Sequence, residues 1–129
     1  MNVAKQLISI VIPVYNEEEN VRTAYDRVVE VMAGFGEAYD FEILFTDNHS
    51  ADATFEIIRL LADKDSRVRC IRFSRNFGYQ NSIFTGYLNA RGDAAIQLDC
   101  DMQDPPELIA TFLERWSEGY EVVYGVRRS

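Results

Sequence analysis

The sequence predicts an α/β protein: a mostly parallel sheet with helices on both faces. Three observations carry this. Short apolar, β-branched runs alternate with segments whose apolar residues recur at helical spacing, in the order β-α-β-α-β-α-β-α-β. The strand segments are near-continuous apolar runs, the pattern of strands covered on both faces. The chain has 129 residues, 47% hydrophobic and 26% charged, which is enough to bury a core and unlike a disordered composition.

Residues 7–14 (LISIVIPV) form the first expected strand. Asn16 follows as the expected N-cap of a helix, with Glu17, Glu18 and Glu19 in its first turn, where carboxylates suit the positive end of the helix dipole. Val21, Tyr25, Val28 and Met32 recur along one face, and Gly34 and Gly36 end the helix. Residues 41–46 (FEILFT) are the second strand, followed by the polar turn 47–52 (DNHSAD). A helix over 53–63 is expected to bury Phe55, Ile58 and Leu61, with Ser50 and Asp52 as capping residues. Residues 68–73 are the third strand and 74–80 (SRNFGYQ) a turn, and the next helix runs to about Arg91, with Gly92 past its end. Residues 94–98 are a short fourth strand. Asp104 is then the expected cap of a helix, with proline at its start and Glu107 three residues on, a capping-box pattern. Leu108, Phe112 and Trp116 give that helix an apolar stripe, Gly119 closes it, and residues 121–124 begin a fifth strand.

There is no internal repeat, low-complexity tract or linker, so residues 1–129 read as one domain. The chain stops at Arg127-Arg128-Ser129, just after the fifth expected strand, and is expected to be the incomplete first part of a longer protein. Its start leads straight into a strand, so no signal peptide is expected. No apolar run approaches the ~20 residues that cross a bilayer. The net charge of −8 argues against a general nucleic-acid binder. It leaves room for an anionic ligand whose charge a metal ion offsets locally. Cys70 and Cys100 sit in apolar strand-like runs and read as buried thiols of a reducing compartment.

In an open α/β sheet, ligands bind beyond the carboxyl ends of the strands. The polar clusters of this chain fall there: Tyr15-Asn16-Glu17, residues 47–52, residues 74–76 and residues 99–104. The sharpest is Asp99-Cys100-Asp101-Met102-Gln103-Asp104. If strand geometry continues, Asp99 and Asp101 point to the same side and repel unless a cation lies between them. A hard divalent cation, Mg²⁺ or Mn²⁺, fits, with a carbonyl oxygen of Gln103 as a further ligand and substrate phosphates completing the shell. Asp104 reads instead as a helix cap. Asp47 either accepts from the ring N–H of a nucleobase or forms its own turn. Arg75 either meets a phosphate or is solvated. His49, with no second histidine or cysteine beside it, reads as a loop residue.

Taken together, the stretches 10–18, 47–52, 73–78, 99–107 and 119–127 resemble a family 2 glycosyltransferase of the GT-A fold, in the polyprenyl-phosphate branch of dolichol-phosphate mannosyltransferases and undecaprenyl-phosphate sugar transferases. The string D-x-D-x-Q-D-P-P-E is far more specific than a bare D-x-D. The resemblance implies a Rossmann-like nucleotide-diphospho-sugar fold in which Pro13, Tyr15 and Glu17 line the nucleotide site and Asp47 reads the base. It implies that Asp99, Asp101 and Gln103 hold the metal on the donor diphosphate, with Asp101 the catalytic carboxylate and no general base identified. The reaction would be an inverting transfer from a UDP- or GDP-sugar to a lipid phosphate, which is already ionised and needs little help from a base. Acceptor-binding parts and membrane helices would lie beyond residue 129, placing the full protein at the cytoplasmic face of a membrane. This piece alone would then be weakly active or inactive. A homo-oligomer is a further expectation, because a last strand leaves an edge.

The chain departs from the family pattern in one loop, where Asp-Asp-Gly-Ser is usual and Asp47-Asn48-His49-Ser50 stands here. A non-catalytic nucleotide-binding module is the alternative reading. A sugar nucleotidyltransferase would carry a glycine-rich basic loop after the first strand, where this chain has the acidic Tyr15-Asn16-Glu17-Glu18. The same lack of G-x-G-x-x-G disfavours a dinucleotide oxidoreductase. A phosphoryl-receiver domain would need an aspartate after the third strand, where Ser74-Arg75 stands.

Overall fold

The structure is a computed structural model that describes residues 5–103 and 105–125. Eight elements follow in order: β1 (Gln6–Val14), α1 (Val21–Ala33), β2 (Tyr39–Asp47), α2 (Thr54–Lys64), β3 (Val68–Arg72), α3 (Tyr79–Asn89), β4 (Ala94–Gln97) and α4 (Leu108–Ser117). The strands form one parallel sheet in the order β3-β2-β1-β4. The chain therefore builds outward from β1 to β3, then crosses back to lay β4 on the other side of β1. That reversal makes the carboxyl ends of β1 and β4 the topological switch point.

The register sets the depth of the cleft there. β1 and β2 stay paired to their ends, Val14 against Asp47, whereas β4 stops at Gln97 beside Val11. The upper end of β1 thus has no strand on its β4 side. Pro13 stands in that stretch: odd-numbered backbone groups of β1 face β4, as the bond from the Leu98 N–H to the Val11 carbonyl shows. Proline has no N–H to continue the ladder onto the residues after β4, in keeping with the end of the β1–β4 pairing at Val11 and Gln97.

The sheet has two unequal faces. Ile8, Ile10, Ile12 and Val14 of β1 enter the main core with Ile43 and Phe45 of β2 and the buried sides of α1, α2 and α4. On the opposite face α3 lies against Val11 and Thr46. Gly86 makes this approach: a Cβ there would stand 2.3 Å from Val11 Cγ1. The Thr46 and Ser82 hydroxyls bond at 2.8 Å across the same contact.

Four expectations are corrected. α1 begins at Val21, not after Asn16, which has a positive φ of 52°. Residues 15–20 instead form a turn, with the Glu17 carbonyl accepting from the Asn20 and Val21 N–H groups, so Glu17 and Glu18 belong to the loop above the sheet and not to a helical first turn. α3 ends at Asn89, with Ala90 already extended, and Gly92 lies beyond it, donating its N–H to Ser9 Oγ. In α4 the deepest side chains are Ile109 and Leu113, while Leu108, Phe112 and Trp116 are only half-buried. Residues 121–124 pair with no strand among the described residues, and Val122 and Tyr124 are exposed. The expected cap Asp104 and the terminal Arg127-Arg128-Ser129 lie outside the described residues. Among the described residues no helix is long and apolar enough to cross a membrane. Both cysteines are free; burial, with nearby carboxylates, pushes each thiol up to about 12, so both stay protonated.

Candidate functional site

A cleft of about 390 Å³ opens at the switch point. β1 and its turn supply Pro13, Tyr15 and Glu17, the loop after β4 supplies Asp99 and Asp101, and α3 closes the far wall with Tyr79 and Ser82. A larger groove, about 660 Å³, runs along the outer edge of β4 and α4, but its walls are mostly apolar, among them Ile96, Phe112 and Trp116. Its lining carries the carboxylates Asp93 and Glu121, whereas three carboxylates, Glu17, Asp99 and Asp101, line the smaller cleft at the strand ends.

The D-x-D segment reaches the cleft because strand alternation outlasts the ladder. Ile96, Leu98 and Cys100 all turn into the core, at 8%, 2% and 2% exposure, so Asp99 and Asp101 turn the other way. A turn then follows, in which the Met102 N–H reaches the Asp99 carbonyl at 3.2 Å and Met102 takes a φ of 60°. The Gln103 N–H donates to Asp101 Oδ1 at 3.2 Å. Asp99 Oδ1 accepts from the Tyr79 phenol and, at 2.9 Å, from Gln97 Nε2. Burial and the Asp99 carboxylate push the Tyr79 phenol up to about 12, so it stays a donor at neutral pH.

Glu17, Asp99 and Asp101 line the cleft, and no Lys, Arg or His among the described residues does. The amino end of α3, with its unpaired N–H groups, is the positive contribution among the elements bordering the cleft. An anion meets net repulsion here, whereas a divalent cation meets hard carboxylate oxygens. Among the described residues no three His, Cys, Asp or Glu side chains close on one point. The chain therefore fits a cation that takes few protein ligands and fills its shell from phosphate and water, as Mg²⁺ and Mn²⁺ do.

The other expected site residues lie outside the cleft wall. Asp47 is fully buried. Its Oδ1 accepts from the Ser50 N–H at 3.0 Å and hydroxyl at 2.6 Å, so it forms the turn after β2. Its Oδ2 has no hydrogen-bond partner and lies 3.6 Å from Arg72 Nε. Arg75 is exposed and lays its guanidinium 4.1 Å over the Phe77 ring. Gln103 is exposed beside Asp101. Ser50 does not cap α2; its hydroxyl accepts from the Asn16 N–H at 2.9 Å and so ties the β2 loop to the β1 turn. Asp52 holds the Thr54 N–H at 2.9 Å at the helix entry.

Sequence reasoning missed Tyr79, Gln97 and Ser82, and saw Asn48 only as a departure from a pattern. Gln97 is the one with a readable signal, standing two residues before Asp99 and so on the same side of the strand. Tyr79 is brought in by the crossover of α3, which no local spacing announces. Asn48 is nearly buried, at 5% exposure, and bonds Asn76 and Phe77 in the neighbouring loop. His49 takes a φ of 68°, the left-handed region where the family pattern has glycine, and its Nδ1 meets the Phe73 carbonyl at 3.1 Å.

The fold and sequence have known counterparts. A mannosyltransferase from Pyrobaculum calidifontis, solved with GDP-Man and Mn²⁺, superposes with a TM-score of 0.69 at 19% identity, over 88% of this chain and 32% of that one. An uncharacterized glycosyltransferase of Bacillus subtilis, YkcC, is 50% identical over 119 residues, which is 92% of this chain and 36% of that protein. The bactoprenol glucosyl transferase of Shigella phage SfV is 42% identical over 120 residues, 93% of this chain and 38% of its own length. The chain thus spans well under half the length of these relatives. The sheet order and crossovers are those of a GT-A glycosyltransferase fold. Residues 9–129 match the family described as Glycosyl transferase family 2, and the chain belongs to that family.

Proposed function

We propose that the protein is an inverting, metal-dependent glycosyltransferase that moves a sugar from a UDP- or GDP-linked donor to a polyprenyl phosphate, and that this chain is its donor-binding part. The observation that carries the reading is the charge of the cleft: three carboxylates line it, with no basic side chain among the described residues. A donor diphosphate would be repelled from Glu17, Asp99 and Asp101 unless a cation intervened. Bound Mg²⁺ or Mn²⁺ would supply that neutralisation and stabilise the departing nucleoside diphosphate.

Asp99 and Asp101 are assigned as the carboxylates that hold the ion, and the Gln103 carbonyl as a further oxygen. The Gln103 N–H, bonded to Asp101, keeps that carboxylate turned. Tyr15, half exposed at the rim, offers an aromatic face to a base, and Pro13 gives a rigid wall beside it. Asp47 is assigned to the base N–H through its unpartnered Oδ2. That oxygen is sealed from solvent, so the assignment requires the Arg72 side of the loop to open when the nucleotide enters. Arg75 is assigned to a donor or acceptor phosphate by leaving its perch on Phe77. The polyprenyl-phosphate acceptor is supported by 42% identity to bactoprenol glucosyl transferases. An ionised phosphate acceptor attacks without a strong base, in keeping with a cleft in which Asp99 and Asp101 are assigned to the ion and Glu17 to the nucleotide site. The lipid acceptor places the full-length protein at the cytoplasmic face of a membrane.

The direct test incubates the full-length protein with polyprenyl phosphate and radiolabelled UDP-glucose, UDP-N-acetylglucosamine or GDP-mannose. Label should move to the lipid from one donor, stop with EDTA and return with added Mn²⁺. Undiminished transfer in EDTA would contradict the metal reading, and absence of transfer to any lipid phosphate would contradict the acceptor.

A further inference from the structure

Tyr79 is placed oddly for a structural aromatic. It is the first residue of α3 and 52% exposed, so its ring adds little to the core. Its phenol nevertheless spans the cleft and donates to Asp99 Oδ1 at the carboxyl end of β4. Gln97 completes a triangle, donating through Nε2 to the same Asp99 oxygen at 2.9 Å and to the Tyr79 oxygen at 3.2 Å. Two donors on one oxygen leave the carboxylate little freedom to rotate, although the strand has already ended two residues earlier.

The turn that delivers Tyr79 is itself latched. Asn76 Oδ1 accepts from the Gly78 N–H at 2.8 Å and from Asn48 Nδ2 at 2.7 Å, and Asn48 Oδ1 accepts from the Phe77 N–H at 2.8 Å. The two backbone N–H groups fix which end of each amide faces which partner. Asn48 must present its oxygen to Phe77, and so presents its NH₂ to Asn76. An aspartate at position 48 could accept from Phe77 but could not donate to Asn76. Gly78, at φ 95°, gives the turn a backbone conformation that a side chain would strain.

We propose that Tyr79 is a positioning residue for Asp99: its phenol, with Gln97, aims the carboxylate into the cleft, and Asn48 holds the turn from which it acts. This rests on the donor-site reading above. Partners of this kind, one bond behind a metal ligand, fix its orientation, and losing one typically weakens metal affinity about 10–100-fold.

The test is Tyr79→Phe in the full-length protein, which removes one hydroxyl and keeps the ring. Mn²⁺ is titrated calorimetrically in the presence of UDP and of GDP, each nucleotide is titrated without metal, and a thermal melt is recorded. The variant should bind Mn²⁺ about ten-fold more weakly, with melting temperature unchanged and nucleotide binding without metal absent, as in the wild type. Asn48→Asp should weaken Mn²⁺ in the same direction. If wild type and Tyr79→Phe bind Mn²⁺ equally, the positioning role is overturned and the donor site stands. If the wild type itself shows no Mn²⁺-dependent nucleotide binding, the donor-site reading falls and the positioning role with it.

Discussion

In the proposed donor site Asp101 is assigned to the metal, while the fold asks little of it. It is exposed, follows the last core residue of its segment, and makes one described hydrogen bond, to the Gln103 N–H. Asp101→Ala should therefore abolish Mn²⁺-dependent nucleotide binding while leaving the thermal midpoint within a degree or two, since surface changes away from special features usually stay within about 0.5 kcal/mol. Unchanged metal-dependent binding would remove Asp101 from the metal role. Asp47 shows the opposite balance. Buried and turned onto Ser50, it is structural before it is anything else, and its conversion to alanine would confound binding with folding. The D-x-D pair was legible because alternation in a strand is a period-two rule that needs no tertiary knowledge. The roles of Asn48 and His49 were not, because both act on a loop that only the sheet order brings alongside.

At the scale of elements, α3 matters most, because it is the helix that covers the site face of the sheet and presents Tyr79 and Ser82 to the cleft. Its contact with β1 has no room for a side chain at Gly86, where a Cβ would meet Val11 Cγ1 at 2.3 Å and Thr46 Cγ2 at 3.4 Å. Gly86→Ala should destabilise the protein by about 1–3 kcal/mol through overpacking, read as a lowered urea midpoint at unchanged slope. An unchanged midpoint would show that α3 sits less tightly than described. The strands were the most legible elements, β1 through β4 falling within two residues of their expected bounds, because buried parallel strands are runs of apolar side chains. The start of α1 was misplaced for a physical reason. Asn16-Glu17-Glu18-Glu19 has the composition of a helix start, but the Asn16 and Glu17 N–H groups are taken by Ser50 of the loop after β2 and by Thr54 at the start of α2. Tertiary bonds thus outbid the local cap and hold Glu17 at the cleft. The expected fifth strand does not form: residues 121–124 have strand-like composition but pair with none of the four strands among the described residues.

At the scale of the whole molecule, acidity shapes both stability and binding. The chain carries a net charge of −8, and several carboxylates are held ionised by the fold. The Arg67 guanidinium, against an opposing cost of burial and with help from the Tyr25 phenol, holds the Asp65 carboxyl well below the usual range. Burial alone would raise the Glu42 carboxyl, but Arg69, Ser9 and the Arg91 N–H outweigh it and lower it. Both groups have folded pKa values below their unfolded ones. Their stabilisation is therefore complete above roughly pH 5 and is lost as pH falls through about 4 and below. The urea midpoint should drop steadily between pH 5 and pH 3, and a midpoint that held constant over that range would show that these contacts contribute nothing to stability.

The central claim is that three carboxylates at the switch point form a donor site that admits a nucleoside diphosphate only together with a divalent cation. Calorimetric titration with UDP and with GDP, each with and without Mn²⁺, tests it most directly. Binding of one nucleotide that appears with Mn²⁺ and vanishes without it is the expected result, and it would also name the donor class. Equally tight binding with and without the metal would contradict the claim, because Glu17, Asp99 and Asp101 offer a bare diphosphate only repulsion.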